Sequence, residues 1–431
     1  MAKKTKLKID LNLDSIKIKS VSIDSNGDYH IYVSCTANST LCNKCGNKTT
    51  KSHGQCDESI IEHLPIFDHC VYIHVKWPRF KCDNCDSNNS TTSFKPKWVN
   101  DTGNKTREYE NYCLKFLINS TIKDVSEKLN TTEEVIEGII NRNIKTKINW
   151  AEANPTIIGL DEIALRKGHS HYVTIVSNLS VNKEVKILGV IDGNSKDDIL
   201  PFLQSIPEDI ILSLEGITID MGASYFSALK EIIKDVDRFN RIVTIDRFHV
   251  AKLLGDKVDK ERKKIVKKLK LEFENDDDKL ESIKGTMWPF RHHKNHLSKE
   301  GNNKLDTLFE LAPSLKDCYN LREELYEIFE LEGLSKEDAK DKIDRWCKKA
   351  NQFETKGFNP FTSFTKTYGN FEENILNYFT NRISSGPVEG LNNKIKVIKR
   401  RGFGFRNLTN FAKRIFLDIN YKSALLPTPT N

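Results

Sequence analysis

A chain of 431 residues is longer than one hydrophobic core usually organises, so two or three domains are expected. Its 67 basic residues nearly balance 60 acidic ones, leaving a formal charge of +7, so an anionic partner has to be read from where the bases cluster. Ten cysteines with no signal-peptide core and no bilayer-length apolar run exclude the disulfide-rich secreted and membrane-spanning classes, and point to a cytoplasmic protein with reduced or metal-bound thiols.

Residues 1–100 alternate short strand patterns, such as Ile16 to Ile23 and His30 to Cys35, with turns rich in Asn, Gly and Ser. Cys42-Asn43-Lys44-Cys45 and Cys82-Asp83-Asn84-Cys85 each set two sulfurs on a tight turn, and two such knuckles make a closed tetrahedral zinc site. The segment between them is long, but Ile60 to Lys81 reads as a hairpin that returns the chain. Cys35, Cys56, Cys70 and His53 stay open as alternative ligands, and unligated buried thiols are the plain alternative to metal. Arg79, Lys81, Lys95, Lys97 and Trp98 form a basic, aromatic fringe suited to DNA, although solvated lysines account for the same residues.

From Arg107 to Ile148 the period turns helical, with Leu114, Leu117, Ile118, Ile122, Val125 and Leu129 apolar. Thr131 and Glu134 match a capping box at the head of a following helix that carries Val135, Ile136, Ile139 and Ile140. The spacing predicts a helix-turn-helix over residues 101–150, and an ordinary helical hairpin fits these residues equally well.

Past Pro155 five strands are predicted at Thr156 to Ala164, His171 to Ser177, Val185 to Asp192, Ile217 to Asp220 and Arg241 to Asp246. Helices are predicted at Lys196 to Ile206 and Ala223 to Val236, so residues 151–250 read as an α/β unit built on a mixed sheet. Asp161 and Asp220 follow apolar runs, where a carboxylate is costly unless solvated, paired or metal-bound. Strand-end aspartates also cap turns, which is the reading Gly193 and Asn194 favour for Asp192. Glu162 should face away from Asp161, because strand side chains alternate. Asp246 and His249, three residues apart, can share a helix face so that the acid orients the imidazole; an N-cap aspartate beside an incidental histidine is the alternative. Residues 251–380 read as an all-helical insertion, broken near Gly285 to Pro289 and around Gly357 to Pro360.

Residues 381–431 carry a basic helix that opens at Gly386-Pro387. Val388, Leu391, Ile395 and Ile398 form an apolar seam, while Glu389, Asn393, Lys396 and Arg400 form the neighbouring polar stripe. With Gly386 as N-cap, Glu389 falls where a capping-box glutamate bonds back to the cap, and that is the alternative to a metal ligand. Residues 390–417 hold eight Lys or Arg and no acid among Lys394, Lys396, Lys399, Arg400, Arg401, Arg406, Lys413 and Arg414 and their neighbours, which points to phosphate. Phe403 and Phe405, set among glycines, suit either close aromatic contact with a base or simple packing.

With Asp161, Asp220, Asp246-x-x-His249 and Gly386-Pro387-Val388-Glu389-Gly390-Leu391-Asn392-Asn393-Lys394 in place, the chain resembles a bacterial insertion-sequence transposase of the DDE class, most closely the ISL-three family. The resemblance spans nearly the whole chain. It implies a ribonuclease-H-like mixed-sheet core with an all-helical insertion, preceded by a zinc-binding β module and a helix-turn-helix. It implies Asp161, Asp220 and Glu389 as the catalytic triad, with Asp246 and His249 as possible auxiliaries. Two Mg²⁺ (or Mn²⁺) ions about 3.5–4 Å apart would serve phosphodiester cleavage and strand transfer. Structural Zn²⁺ on Cys42, Cys45, Cys82 and Cys85 would complete the metal inventory, and Asn393, Lys396, Lys399, Arg400, Arg401 and Arg406 would follow the DNA backbone. The implied partners are double-stranded DNA, as terminal inverted repeats and as target, and further copies of the chain in a dimer or larger synaptic complex. A non-catalytic DNA-binding regulator and a structure-specific nuclease are the competing functions on the same fold.

Overall fold

The computed structural model describes residues 11–85, 91–100, 102–165, 171–180, 184–353, 359–381, 386–405 and 407–426, with the side chains at 381 and 386–389 outside that description. The chain divides into two compact units, Met1–Lys145 with Leu417–Asn431, and Thr146–Phe416.

In the first unit the strands are β1 (Ile16–Ile23), β2 (Tyr29–Cys35), β3 (Thr40–Leu41), β4 (Lys48–Thr49), β5 (Lys51–Ile66), β6 (His69–Lys81) and β7 (Thr91–Ser93). The main sheet runs β1-β2-β6-β5, with β7 also on β6, while β3 and β4 pair separately. The long β5–β6 hairpin turns through Phe67 and Asp68, both at positive φ (49° and 65°), the conformation a tight hairpin demands even of non-glycine residues. Ile61, Val71, Ile73 and Val75 point inward and bury completely or nearly so against Ile31, Val33, Trp77 and Trp98.

Three helices follow, α1 (Arg107–Leu117), α2 (Ile122–Lys128) and α3 (Glu133–Asn143), each capped by a threonine, Thr106, Thr121 and Thr132, whose side chain accepts an N–H of the first turn. The expected capping box at Thr131 and Glu134 does not form: the cap falls one residue later, at Thr132, and Val135 then stands where a capping-box side chain would reach back. Thr131 instead gives its N–H to Ser126 O (2.9 Å), and Thr132 accepts from Val135 N–H. Buried Glu110 of α1 ties that helix to α3 and to the preceding loop by accepting from Arg142 Nη2 (2.6 Å), Asn143 Nδ2 (2.8 Å) and Asn100 Nδ2 (2.7 Å).

In the second unit a short helix, α4 (Trp150–Ala153), precedes β8 (Ile157–Ala164), β9 (Tyr172–Asn178), β10 (Lys186–Asp192), β11 (Gly216–Ile219) and β12 (Val243–Ile245). The spatial order is β10-β9-β8-β11-β12. The β10–β9 and β9–β8 pairs are antiparallel, and β8–β11 and β11–β12 are parallel. Helices α5 (Lys196–Gln204), α6 (Glu208–Ser213), α7 (Ala223–Ile232) and α8 (Val236–Ile242) supply the crossovers. The fifth strand starts later than predicted because Asp235 caps α8 by accepting Arg238 N–H (3.0 Å), which carries the chain as helix through Ile242.

The remaining helices are α9 (Arg247–Glu272), α10 (Asp277–Ser282), α11 (Met287–Arg291), α12 (Lys299–Leu311), α13 (Pro313–Glu330), α14 (Lys336–Gln352), α15 (Thr362–Asn370), α16 (Glu372–Asn381), α17 (Gly386–Arg401), α18 (Leu408–Ile419) and α19 (Lys422–Leu425). The helices from α9 to α16 do not build a separate core: Phe290, Trp346, Phe361 and Phe364 belong to the same buried cluster as Ile158, Ile217 and Ile245 of the sheet. Asn374 and Asn377 of α16 donate to Val243 O (2.9 and 2.8 Å), closing the exposed carbonyl edge of β12. The helical block thus fixes the sheet that carries the acids.

Candidate active site and zinc centre

The cysteine knuckles meet as their spacing predicts. Cys42 Sγ lies 3.6 Å from Cys85 Sγ, and Cys45 Sγ 3.6 Å from Cys82 Sγ, with all four sulfurs within 4.8 Å of one another. A tetrahedron of Zn–S bonds near 2.3 Å has an edge of roughly 3.8 Å, and a disulfide about 2.05 Å, so the cluster fits a zinc ion and not two cystines. Gly46, at φ +73°, gives its N–H to Cys42 O (2.9 Å) and closes the first knuckle where a side chain would be strained. Thr92 Oγ1 of β7 accepts Asn43 N–H (3.2 Å) and donates to Asn43 Oδ1 (3.1 Å), fixing that knuckle to the sheet. Cys56 bonds to Ser93 Oγ instead (3.0 Å), and Cys35, Cys70 and His53 stand outside the cluster.

Asp220 follows the end of β11, and Asp161 lies within β8, where the parallel pairing with β11 stops. Ile158 and Gly159 of β8 pair in register with Ile217 and Thr218 of β11, and continuing that register sets Asp161 opposite Asp220. Both are then on the side where strand order reverses about β8, the place where open α/β sheets hold ligands. Asp161 Oδ1 accepts Glu162 N–H (2.7 Å), and Asp220 Oδ1 accepts Gly222 N–H (2.7 Å). A Cβ at Gly222 would come within 2.7 Å of that Asp220 oxygen and would push the carboxylate out of this hydrogen bond. Glu162 is occupied elsewhere, accepting Asn194 Nδ2 (2.7 Å).

Asp246 and His249 separate in role. Asp246 caps α9 by accepting Phe248 N–H (2.9 Å), and its own N–H bonds to Ile219 O (3.0 Å), so the helix begins beside the end of β11. His249, one turn in, points its Nε2 to within 3.8 Å of Asp161 Oδ1, making an acid on another element its partner in place of Asp246. Burial pushes the Asp161 carboxyl above its ordinary value; His249, the Glu162 N–H and Asn392 pull it down, and the Asp220 charge adds to the rise. The buried Tyr225 hydroxyl is likewise pushed up by burial, with Asp220, Glu162 and Asp161 contributing.

Helix α17 approaches from the opposite end of the sequence. Leu391, Ile395 and Ile398 are buried, and Asn393, Lys396 and Arg400 are exposed, as the seam and stripe predict. Asn392 is the residue missed by sequence reasoning. Its Nδ2 donates to Asp161 Oδ2, and its neighbour Leu391 anchors the helix. Lys399 Nζ donates to Ala164 O (2.8 Å), so it ties α17 to β8, and burial with the charges of Lys396 and Arg400 lowers its pKa. Arg401 is half-buried. The side chain of Glu389 and the whole of Arg406 lie outside the described residues; position 389 is in α17, three residues before Asn392. Phe405 packs on Phe411 with ring centroids 5.0 Å apart, whereas Phe403 is 96% exposed at φ +50°.

Residues 158–415, well over half of the chain, match the DDE transposase family of the ISL3 type, and the chain belongs to that family. Residues 39–85 match the zinc-finger of transposases IS204, IS1001, IS1096 and IS1165. Among individual proteins, the chain is similar to the transposase for insertion sequence element IS1001 of Bordetella parapertussis, at 24% identity over 389 residues, covering 89% of this chain and 90% of that one. It is also similar to the transposase for insertion sequence element IS1557 of Mycobacterium tuberculosis, at 20% identity over 362 residues, 78% of this chain and 76% of the relative. A 114-residue stretch is 32% identical to a Lactococcus lactis protein named ATP-dependent protease, but covers only 26% of this chain and 33% of that protein. No helix among the described residues is long and apolar enough to cross a membrane.

Proposed function

We propose that this protein binds the terminal inverted repeats of an insertion sequence and cuts and joins DNA strands with a divalent cation held by Asp161, Asp220 and Glu389. The observation that carries the reading is the register that sets Asp161, within β8, opposite Asp220 just past the end of β11, reached by α17 through Asn392. The strand order, with antiparallel β10-β9-β8 continued by parallel β11 and β12, supports a ribonuclease-H-like core interrupted by helices before α17. The donors at Asp161 and Asp220 are hard carboxylate oxygens on neighbouring backbone turns, so the pocket suits Mg²⁺ or Mn²⁺.

Such a cation, when bound, polarises the scissile phosphate and stabilises the developing charge on its oxygens. The residues do the rest. Asp161 and Asp220 are oriented by backbone N–H groups, and His249 Nε2, 3.8 Å from Asp161 Oδ1, is placed to take up a proton as water or a 3′-hydroxyl loses one. Attack forms a new phosphorus–oxygen bond as the bond to the departing 3′-oxygen breaks. Asn393, Lys396 and Arg400, exposed along α17, suit the phosphate backbone, with Arg401 and Arg406 beyond them and Lys399 bridging to β8. Helices α1 to α3 suit a helix-turn-helix and the zinc module its support, and two such chains would pair two DNA ends. The test uses purified full chain, labelled element ends and target DNA with Mg²⁺ or Mn²⁺. Wild type should nick and join, whereas Asp161→Asn, Asp220→Asn and Glu389→Gln should bind the ends without cutting them. Wild type that binds ends yet never nicks with either cation would overturn the reading.

A further inference from the structure

Asn392 is 6% exposed, and its side-chain amide is used at one end only. Nδ2 donates to Asp161 Oδ2, while Oδ1 is buried with no hydrogen-bond partner. Facing Asp161 in the ionised form that binds a cation, which can only accept, the amide presents its nitrogen to that carboxylate and leaves its oxygen free. Leaving a buried carbonyl oxygen unpaired costs about 1–3 kcal/mol, and native structures rarely keep such a group without an ion or water to meet it. The oxygen belongs to the same planar group that touches Asp161, so whatever meets it stands beside that carboxylate. No described donor does.

We propose that Asn392 Oδ1 is a neutral oxygen ligand of the divalent cation held at Asp161 and Asp220. The assignment rests on the cation-site reading above and extends it by one residue. It explains the two ends of the amide together: the N–H fixes the carboxylate's plane, and the oxygen completes a set of hard donors without adding charge. It also explains why α17 buries an asparagine at the boundary of its seam, between buried Leu391 and exposed Asn393.

The experiment is Mn²⁺ binding to the zinc-loaded full chain without DNA, read by electron paramagnetic resonance of the free ion, with thermal melting of every variant alongside. Asp161→Asn should abolish the tightest Mn²⁺ site. Asn392→Ala should weaken it about tenfold, the scale on which supporting groups of metal sites act. Asn392→Asp keeps an oxygen but loses the N–H donor, and should bind Mn²⁺ at least as well as wild type. If Asn392→Ala binds as wild type, or Asn392→Asp loses affinity to the same extent as Asn392→Ala, the ligand role is overturned. If Asp161→Asn itself binds Mn²⁺ unchanged, the cation site is misplaced and the wider reading fails first.

Discussion

The cysteine cluster and the acidic cluster differ in what holds the ligands before any cation is present. Around the cysteines there is little else: β3 and β4 have two residues each, Leu41 is 65% exposed, and Cys45 is exposed. Strands that short do not stand alone, so the ion is a structural member of the knuckles. The acids are the reverse case. Asp161 extends from β8 among Ile158 and Leu160, which are 0% and 2% exposed, and each aspartate is already held by a backbone N–H. One site makes its fold and the other borrows a fold that exists without it.

The largest expected effect follows from the first half of that contrast. Stripping zinc, or the Cys82→Ser change, should take metal content from about one zinc per chain to near zero and release a stabilisation of roughly 10 kcal/mol at the knuckles. Amide exchange should rise sharply over Cys42 to Thr49, while the melting of the second unit stays in place. Unchanged exchange after complete zinc loss would break the comparison.

The second half predicts loss of activity without loss of fold. Asp161→Asn should lower cleavage by about a thousandfold, the equivalent of roughly 4 kcal/mol of transition-state stabilisation. Its melting temperature should hold or rise, because burial and the Asp220 charge both disfavour the ionised acid. A marked fall in melting temperature would make Asp161 a structural residue.

The same contrast decides what could be read in advance. Cysteine knuckles are local, so Cys42, Cys45, Cys82 and Cys85 were legible from spacing, as was the end of β11 before Asp220; Asp161 instead lies within β8, which runs on to Ala164. The partner of His249 was not. Spacing of three left Asp246 open as its partner or as a helix cap; Asp246 spends its oxygen on the cap, and the register of β8 against β11 delivers Asp161 to the histidine. Asn392 was hidden for a similar reason: helix periodicity assigns it to a boundary between seam and stripe, and only the tertiary approach of α17 to β8 gives its amide a target. The shared core of sheet and helical block was also illegible, since periodicity shows that a helix has an apolar face and not which surface it meets.

A core that does not depend on its cation must be held by packing and internal ion pairs, and Asp259 tests this. It is 5% exposed, and accepts from Arg262 Nε (2.8 Å) and Arg291 Nη2 (2.7 Å), with Lys263 Nζ at 3.1 Å. Burial pushes its carboxyl up, but Arg291, Arg262 and Lys263 together hold it well below the usual range. The stabilisation is therefore complete above the unfolded carboxyl's pKa near 4 and is lost as pH falls toward the folded value. Asp259→Asn should cost about 3 kcal/mol at pH 7 in urea melts, and the gap to wild type should shrink below about pH 4. A gap independent of pH would assign the loss to packing and not to charge.

The smallest effect sharpens the comparison inside the first unit. Thr132 caps α3, and Thr131 does not, so Thr132→Ala should cost about 1 kcal/mol and Thr131→Ala much less. If zinc supports only the knuckles, the Thr132→Ala penalty on the three-helix group should be the same in zinc-loaded and zinc-stripped protein, because Glu110 and its partners Arg142 and Asn143 tie α1 to α3 without help from the cysteines. Helical circular dichroism followed through urea unfolding reads this directly. A penalty that vanishes once zinc is removed means that the helices melt with the knuckles, and the metal then organises the whole amino-terminal unit.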